Sequence, residues 1–182
     1  GEDITIITMQ DVNMDELYWH KEAKKLKWKT YDEVESSNEE FDVCIATWWR
    51  SVYEAYRVNA KRYLYFVQSI ESKFYDSKEK PLCQLVEATY LQSFEIITEA
   101  TWIKEYLEQK YRKSPILVHN GIRKDIYKED GEAYAERKKG KLRVLVEGPV
   151  DVPFKNVPKT IELCKQSNAD EIWLMTSSDI KS

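Results

Sequence analysis

Short runs of β-branched and aromatic residues alternate with longer helical segments along this chain, and that alternation restricts its fold more than any other feature. The runs predict strands at 4–8, 28–31, 43–47, 63–67, 96–98, 116–119, 142–146 and 172–175. Helical spacing of apolar residues predicts helices at 14–25, 52–58, 82–91, 102–111 and 157–166. Strands that are apolar almost throughout must be buried on both faces, as the strands of parallel sheets are. The sequence therefore predicts an α/β fold in which helices cover a parallel sheet.

A change of composition at residues 130–141 predicts a linker. This segment, DGEAYAERKKGK, is mostly charged, holds two glycines and shows no apolar period. It separates a first domain at 1–129 from a second region at 142–182. The second region has two predicted strands and one helix, so its sheet edges and one helix face lack cover, and we interpret it as the beginning of a larger domain. Uncovered edges also predict a homo-oligomer formed through them.

The charge balance argues against a nucleic-acid partner. Lys and Arg number 28 and Asp and Glu number 32 in 182 residues, so the net charge is -4 and supplies no basic footprint for a polyanion. No apolar run approaches the ~20 residues that span a bilayer. The three cysteines are widely spaced, and each lies in an apolar stretch. This pattern favours reduced thiols in a cytoplasmic protein over a disulfide framework.

Four segments, in order and at sensible spacing, resemble one enzyme family. They are GEDITIIT at 1–8, SFEIITEATWIKEYLEQKY at 93–111, VHNGIRKDIY at 118–127 and RVLVEGPVDVPFKNVPKTIELC at 143–164. The ordered set resembles the retaining glycosyltransferases of family 4, which have the GT-B fold of two Rossmann-like domains. Within that family, RYLYFVQSIESKFY at 62–75 and EATY at 87–90 resemble the rhamnosyltransferase-like branch, which assembles bacterial surface polysaccharides.

This resemblance implies an incomplete GT-B protein. Residues 1–129 resemble most of the N-terminal, acceptor-side Rossmann-like domain without its first strand. Residues 142–182 resemble the opening of the C-terminal, nucleotide-sugar-side domain. The family's E-x7-E motif and most of its donor pocket belong after residue 182. We therefore expect these 182 residues to be an internal fragment that lacks transferase activity.

The resemblance places the donor-binding residues in the loop after strand 142–146. Gly148 lets the backbone approach a phosphate, Lys155 supplies a cation, and Asn156 stands at the start of a helix, whose N-terminus favours anions. The family's arginine after the glycine is Pro149 here, and its glycine after the lysine is Asn156. Part of the anion site therefore departs from the family pattern, and a solvated loop lysine stays the alternative for Lys155.

Two adjacent tryptophans follow the third predicted strand. Trp48 and Trp49 cannot easily both enter one core, so the pair predicts a ring at the rim of a cleft, stacked on the C–H face of an acceptor sugar. Packing is the alternative role for both rings. Arg50 is the candidate partner for a phosphate or carboxylate of a lipid-linked or polymeric acceptor.

Gln68 and Glu71 follow the fourth predicted strand at its carboxyl end, where open α/β sheets place ligands. Many family members have histidine at the position of Gln68. Glutamine can hydrogen-bond a sugar, but it cannot take up a proton near neutral pH, which excludes a catalytic base at this position. Glu71 is predicted to contact the acceptor, and a surface carboxylate at the start of a loop is the alternative.

The sequence indicates neither a metal site nor a cofactor. His20 and His119 have no cysteine or carboxylate at ligand spacing, and the sequence contains no D-x-D. Glu87 and Glu95 have seven residues between them, but they lie in the first domain, so we treat their E-x7-E spacing as coincidence. The catalytic residues stay unassigned, and the ligands that the resemblance implies are a nucleotide-diphosphate sugar and a saccharide or lipid-linked saccharide acceptor.

Two functions from different classes stay open at this point. The first is a glycosyltransferase of bacterial surface polysaccharide synthesis in the cytoplasm, with a peripheral contact to the inner membrane left open through the ERKK run at 136–139. The second is a non-catalytic α/β module that binds a carbohydrate or a nucleotide. A small Rossmann-like enzyme of another kind is disfavoured, because the sequence lacks the glycine-rich phosphate-binding motifs and a nucleophile elbow.

Overall fold

Parallel β-strands with helices between them make up the described part of the chain, residues 2–18 and 20–180 of a computed structural model. The strands are β1 Thr5–Thr8, β2 Lys27–Thr30, β3 Glu40–Ala46, β4 Asn59–Val67, β5 Glu95–Thr98, β6 Ile116–Leu117, β7 Arg143–Glu147 and β8 Glu171–Met175. The α-helices are α1 Tyr31–Ser37, α2 Trp49–Glu54, α3 Lys80–Thr89, α4 Thr101–Tyr111 and α5 Val157–Lys165. Short 3-10 turns lie at Met14–Glu16, Ala23–Lys25, Ala55–Arg57, Glu71–Phe74 and Pro153–Lys155.

The strands form three sheets, and each strand pairing among the described residues is parallel. The sheets are β1-β2, β3-β4-β5-β6 and β7-β8. All eight predicted strands are present, with ends shifted by up to four residues. The prediction of an α/β fold with Rossmann-like parallel sheets flanked by helices is confirmed.

The chain divides into two units, Gly1–Gly121 and Ile122–Ser182. The first unit contains β1 to β6 and α1 to α4, and the second contains β7, α5 and β8. The predicted linker at 130–141 lies within residues 118–142, a stretch that has neither a helix nor a strand. Among the described residues, no helix is both long enough and apolar enough to cross a bilayer.

The core of the first unit lies between the four-stranded sheet and the helices α2, α3 and α4. Alternate residues of β4, Tyr65 and Val67, point into it because side chains alternate between the two faces of a strand. The buried members of this core are Ala46, Trp49, Val52, Ala55, Tyr65, Val67, Ile70, Val86, Tyr90, Phe94, Ile96, Ile103 and Leu107. This packed face holds the carboxyl ends of the strands in fixed positions. Val43 and Ile45 of β3 are 40% and 50% exposed, so the predicted burial of the strands on both faces is not met at β3.

The predicted helix at 14–25 is wrong. Residues 14–25 contain two separate 3-10 turns instead, and Trp19, which lies between them, is outside the described residues. Two polar side chains bond to the nearby backbone in place of a helical bond. The Asn13 side chain accepts from the N–H of Asp15, and the His20 imidazole accepts from the N–H of Glu22. Such local bonds offer the backbone an alternative to a continuous helix.

Helix α1 has no counterpart among the predicted helices. It begins with a capping box, in which the Thr30 hydroxyl accepts from the N–H of Glu33 at 3.3 Å and the Glu33 carboxylate accepts from the N–H of Thr30 at 2.7 Å. The sequence T-x-x-E is the usual indication of this motif. The strand predicted at 28–31 ends one residue earlier for the same reason, because Tyr31 is the first residue of α1.

Helix α2 begins three residues before the predicted start at residue 52. The Ser51 hydroxyl oxygen accepts from the N–H groups of Thr47 and Trp48, at 3.2 and 3.1 Å. A side chain that satisfies these backbone donors fixes the start of the helix at Trp49. Trp48 is therefore the residue that precedes α2, and Trp49 and Arg50 lie in its first turn.

Candidate functional site

The candidate site is the edge of the four-stranded sheet at which β3, β4, β5 and β6 end, which we call the carboxyl edge. Parallel strands bring their carboxyl ends to one side of the sheet, and ligands of open α/β sheets bind there. Polar and aromatic residues that lie within three positions after these strands include Thr47, Trp48, Gln68, Glu99, His119 and Asn120. The sheet itself orders them, because neighbouring strands are in register up to Ala46 with Tyr65 and Val67 with Thr98.

The two adjacent tryptophans at this edge point in different directions. Trp49 is 5% exposed, and its indole N–H donates to the Tyr75 hydroxyl at 2.9 Å. Trp48 is 41% exposed, and its ring meets that of Trp49 edge to face with centroids 5.9 Å apart. Trp49 therefore packs in the core and supports the ring of Trp48, which is exposed to solvent.

Arg50 lies against both rings. Its guanidinium carbon is 5.1 Å from the centroid of Trp48 and 5.1 Å from that of Trp49, which is the distance of a cation–π contact. The side chain is exposed. A guanidinium held in this way keeps planar N–H donors beside the Trp48 ring, a geometry that suits hydroxyl, carboxylate or phosphate oxygens.

Gln68 joins the ends of two strands. Its side-chain amide N–H donates to the main-chain carbonyl of Thr47 at 3.1 Å, so the residue after β4 is tied to the residue after β3. A bond of this kind orients the amide and leaves its carbonyl oxygen as an acceptor on the exposed side. Gln68 is therefore bonded to the residue that precedes Trp48, and its contact with an acceptor sugar stays a prediction.

Glu71 is buried below the carboxyl edge. One carboxylate oxygen accepts from the main-chain N–H of Trp49 at 2.9 Å and from the Tyr65 hydroxyl at 3.2 Å. The Glu71 N–H donates to the Tyr90 hydroxyl at 3.1 Å. Burial raises the pKa of Glu71, and the bonds from Trp49 and Tyr65 partly offset that rise. The carboxylate thus holds the first turn of α2 and positions the tryptophan pair, and the alternative of a surface carboxylate is wrong.

Glu99 and Asn120 also lie at the carboxyl edge, although neither was a predicted site residue. The Asn120 side-chain amide donates to the Glu99 carboxylate at 2.6 Å, and the His119 Nδ1 atom lies 3.3 Å from the Glu99 carbonyl oxygen. The Thr98 hydroxyl, buried, donates to the carbonyl of Val67 at 2.8 Å and links the ends of β5 and β4. Glu99 and Asn120 each directly follow a predicted strand, so the rule that ligands gather at strand ends was the sequence signal for both.

Local packing in the second unit explains why residue 148 is a glycine. Its φ angle is 135°, its N–H donates to the carbonyl of Met175 at 3.0 Å, and a Cβ atom there would come within 3.1 Å of a Val157 methyl group. An L side chain rarely adopts this φ angle. The loop after β7 therefore needs glycine so that it can turn close above the start of α5.

Lys155 and Asn156 lie directly before α5. Lys155 is exposed, and its ammonium is 5.9 Å from the ring of Phe154. Asn156 has a φ angle of 56° and makes no side-chain capping bond, while its main-chain carbonyl accepts from the N–H and the hydroxyl of Thr160, both at 3.0 Å. The two residues lie at the positive end of the helix dipole, and their contact with a donor phosphate stays a prediction.

Residues 2–18 and 20–180 contain no cluster of three or more His, Cys, Asp and Glu side chains that could hold a metal ion.

Comparison with known proteins identifies no relative of this chain. No family model, no curated protein and no solved structure matches it.

Proposed function

We propose that the chain is part of a glycosyltransferase and that its carboxyl edge binds the saccharide acceptor. The observation that carries this proposal is the exposed ring of Trp48, held by buried Trp49, flanked by Arg50 and lying next to the oriented amide of Gln68. An aromatic face stacks on the C–H groups of a sugar, and neighbouring amide and guanidinium groups bond its hydroxyls. The resemblance of the sequence to family 4 glycosyltransferases adds the reaction to this binding geometry.

In the proposed reaction the second unit contributes to the site of the nucleotide-diphosphate sugar. The bond between the anomeric carbon and the diphosphate oxygen breaks, a bond from that carbon to an acceptor hydroxyl oxygen forms, and the proton of that hydroxyl passes to the departing diphosphate. The nucleoside diphosphate leaves with the bonding electron pair, and a cation and helix N–H groups stabilise its charge. In this proposal Lys155 supplies the cation, and the first turn of α5 supplies the N–H groups.

The proposal includes the setting of the reaction. The acceptor is a saccharide or a lipid-linked saccharide, and the protein works in the cytoplasm or peripherally at the inner membrane. The 182 residues alone are expected to be inactive, because the resemblance implies that most of the donor site lies outside them. Detection of a transferred sugar with this chain alone and any nucleotide sugar would contradict that expectation.

A binding module without turnover is the second candidate function. It is favoured by Glu71, because the buried carboxylate nearest the tryptophan pair uses its oxygen to hold Trp49 and Tyr65. Both candidates predict sugar binding at the carboxyl edge. They differ in turnover, which a protein that carries a complete donor site would show and a binding module would not.

Sugar binding tests the acceptor site directly. We would titrate the chain with rhamnose, galactose and N-acetylglucosamine and with short oligosaccharides of each, and follow amide shifts by NMR. Trp48→Ala is expected to weaken binding by about tenfold, the loss of one aromatic contact of about 1.4 kcal/mol. Tyr56→Ala is the matched control, because Tyr56 is 55% exposed and precedes β4, at the opposite edge of the sheet. Equal binding by both variants, or shifts confined to other surfaces, would overturn the acceptor site.

Nucleotide binding tests the second unit separately. Uridine and guanosine diphosphates are the probes, and Lys155→Ala is expected to weaken binding about threefold to tenfold because one exposed cation is lost. Lys165→Ala is the control, since this residue lies at the opposite end of α5. An equal effect of the two substitutions would mean that the diphosphate is attracted by general charge and not by the start of α5.

A further inference from the structure

A second exposed tryptophan with a cation beside it lies at the carboxyl edge. Trp102 is the second residue of α4, which begins directly after the loop that follows β5, so it lies at the same edge as Trp48. Trp102 is 51% exposed. The Lys73 ammonium lies 6.0 Å from the centroid of the Trp102 ring and 4.9 Å from that of Tyr106, one helical turn further along. This Trp102–Lys73 pair has no role in the function proposed above.

The turn Glu71–Phe74 connects this pair to the Trp48–Arg50 pair. The buried Glu71 carboxylate accepts from the main-chain N–H of Trp49 at 2.9 Å and so fixes the first turn of α2. Two residues later in the same turn, the Lys73 side chain reaches the ring of Trp102. One buried support therefore positions both pairs of a ring and a cation.

The two pairs lie too far apart for a single sugar. Trp48 follows β3 and Trp102 follows β5, and β4 lies between these strands. Two steps at the ~4.8 Å spacing of neighbouring strands separate the ends of β3 and β5 by about 10 Å. One pyranose ring spans less than this distance, whereas the linked sugars of an oligosaccharide can extend along the edge. Both rings can therefore be covered by one acceptor only if it is an oligosaccharide.

The cations of the two pairs are free to bind an anion. Arg50 and Lys73 are exposed, and neither forms an ion pair within residues 2–18 and 20–180, whereas Lys110, further along α4, pairs with a carboxylate at 2.7 Å. Glu71 and Glu99, the acidic residues already placed at this edge, are hydrogen-bonded to neighbouring groups. The charges that the two pairs present to a ligand are therefore positive, which favours an acidic saccharide.

A sugar carboxylate fits these pairs better than a sugar phosphate does. The carboxylate of a uronic acid is bonded directly to a ring carbon, so it lies at the rim of a sugar that stacks on a tryptophan. The Arg50 guanidinium carbon is 5.1 Å from the Trp48 centroid, and the Lys73 ammonium is 6.0 Å from the Trp102 centroid. Each cation is thus close enough to its ring to meet a group at that rim. A phosphate ester holds its charge one atom further out.

We propose that the acceptor is an acidic oligosaccharide and that two uronic acid residues of one chain occupy the two pairs. One sugar stacks on Trp48 with its carboxylate bonded to Arg50, and another stacks on Trp102 with its carboxylate bonded to Lys73. This inference rests on the proposed acceptor site. It adds the charge of the acceptor, the need for more than one sugar and a second pair of contact residues.

Galacturonic acid and its linear oligomers of two to four sugars are the probes that test this inference. Calorimetry with the chain measures their affinities, and NMR amide shifts locate them. We expect the tetramer to bind at least about tenfold more tightly than the single sugar, because only a longer chain reaches both pairs. Galactose oligomers of equal length lack the carboxylates and are expected to bind about tenfold more weakly than the acidic ones.

Substitutions in the second pair separate it from the first. Trp102→Ala is expected to weaken binding of the acidic tetramer about tenfold, and Lys73→Gln about threefold to tenfold. Neither is expected to change the amide shifts that galacturonic acid causes at Trp48. Tyr56→Ala and Lys61→Gln are the matched controls, because these exposed residues lie near the start of β4, at the opposite edge of the sheet.

The outcomes distinguish this inference from the proposed function. If Trp48→Ala weakens sugar binding but Trp102→Ala and Lys73→Gln act like their controls, the second pair is excluded and the acceptor site at Trp48 is kept. If Trp48→Ala has no effect on any sugar, the acceptor site itself is wrong. Equal binding of the acidic and neutral tetramers would exclude an acidic acceptor, and so would binding of neutral probes alone. Equal binding of galacturonic acid and galactose 6-phosphate would overturn the choice of a carboxylate.

Discussion

In the first unit three helices cover a four-stranded sheet, whereas in the second unit the single helix α5 covers the two strands β7 and β8. The first arrangement encloses a core that includes large side chains such as Tyr65 and Trp49. Among the described residues of the second unit, the buried apolar side chains are Val146 and Val157. Both units repeat the same local pattern of strand, loop and helix, so the difference lies in the number of elements that pack around it.

The difference also separates the two parts of the candidate site. At the carboxyl edge, Trp48 and Gln68 are held by bonds that reach into the core, through Trp49 and across the strand ends. Lys155 lies on a local turn and is exposed, and Leu145 of the neighbouring strand is exposed as well. A tightly packed core positions a side chain from several directions, and a local turn positions it from one. The first unit therefore holds its site residues more rigidly.

Truncation of a core side chain in each unit tests this comparison most strongly. Ile103→Ala empties a fully enclosed position in the first unit and is expected to lower the free energy of unfolding by about 3 kcal/mol. Val157→Ala removes less volume beside fewer neighbours and is expected to cost about 1 kcal/mol. Denaturant unfolding, followed by NMR through the amides of β4 and of β7, measures the two losses. Equal losses would mean that the second unit is as tightly packed as the first.

Glu71 tests whether the carboxyl edge depends on its buried support. Glu71→Ala leaves the N–H of Trp49 and the hydroxyl of Tyr65 without their acceptor and is expected to cost about 2 kcal/mol. Glu71→Gln keeps a side-chain oxygen that can accept these hydrogen bonds and removes the titratable carboxyl group. Amide shifts of Trp48 and Arg50 report whether the first turn of α2 is displaced in the alanine variant. Unchanged shifts and stability would show that Glu71 does not support the edge.

The Glu71 carboxyl group is also expected to make the free energy of unfolding depend on pH. Because burial raises the folded-state pKa of Glu71 above its ordinary 4.5, the folded state holds the proton more tightly than the unfolded state does. The associated stability is fully present below pH 4.5 and is lost as the pH rises through the folded-state pKa. The stability of the native chain relative to Glu71→Gln is therefore expected to fall with rising pH from 4.5. A constant difference between the two proteins would contradict the raised pKa.

Gly148 gives the smallest expected effect and sharpens the description of the second unit. Gly148→Ala brings a Cβ atom to 3.1 Å from a Val157 methyl group at a φ angle of 135°, and is expected to cost about 1 kcal/mol. Gly131→Ala is the matched control in the same unit, because its Cβ would meet its nearest neighbour at an ordinary 3.7 Å. Hydrogen exchange of the β7 and β8 amides measures the loss. Equal exchange in the two variants would mean that the loop after β7 adapts easily.

Much of the fold was readable from the sequence. The β-branched runs predicted every strand in the described residues, because a parallel strand is apolar almost throughout and is bounded by polar turns. The capping box of Thr30 and Glu33 was also recognisable from the T-x-x-E sequence, but α1 was not predicted. The segment 14–25 was not readable in the same way, because its apolar spacing suits a helix while Asn13 and His20 bond to the backbone and break it.

The candidate site, like the fold, was predicted only in part from the sequence. The sequence placed Trp48, Gln68 and Lys155 next to strand or helix ends, because chain order alone determines which residue follows an element. It gave no means of deciding which of two adjacent tryptophans is buried, or that Glu71 turns inwards to hold one of them.

The sequence by itself thus determined the strands, their parallel class and the residues that follow them, since these depend on local spacing and on which residues are apolar. The tertiary structure decided the direction of Trp48 and the burial of Glu71. Each of these depends on contacts between residues far apart in the chain, and such contacts exist only when the sheet and its helices have packed together.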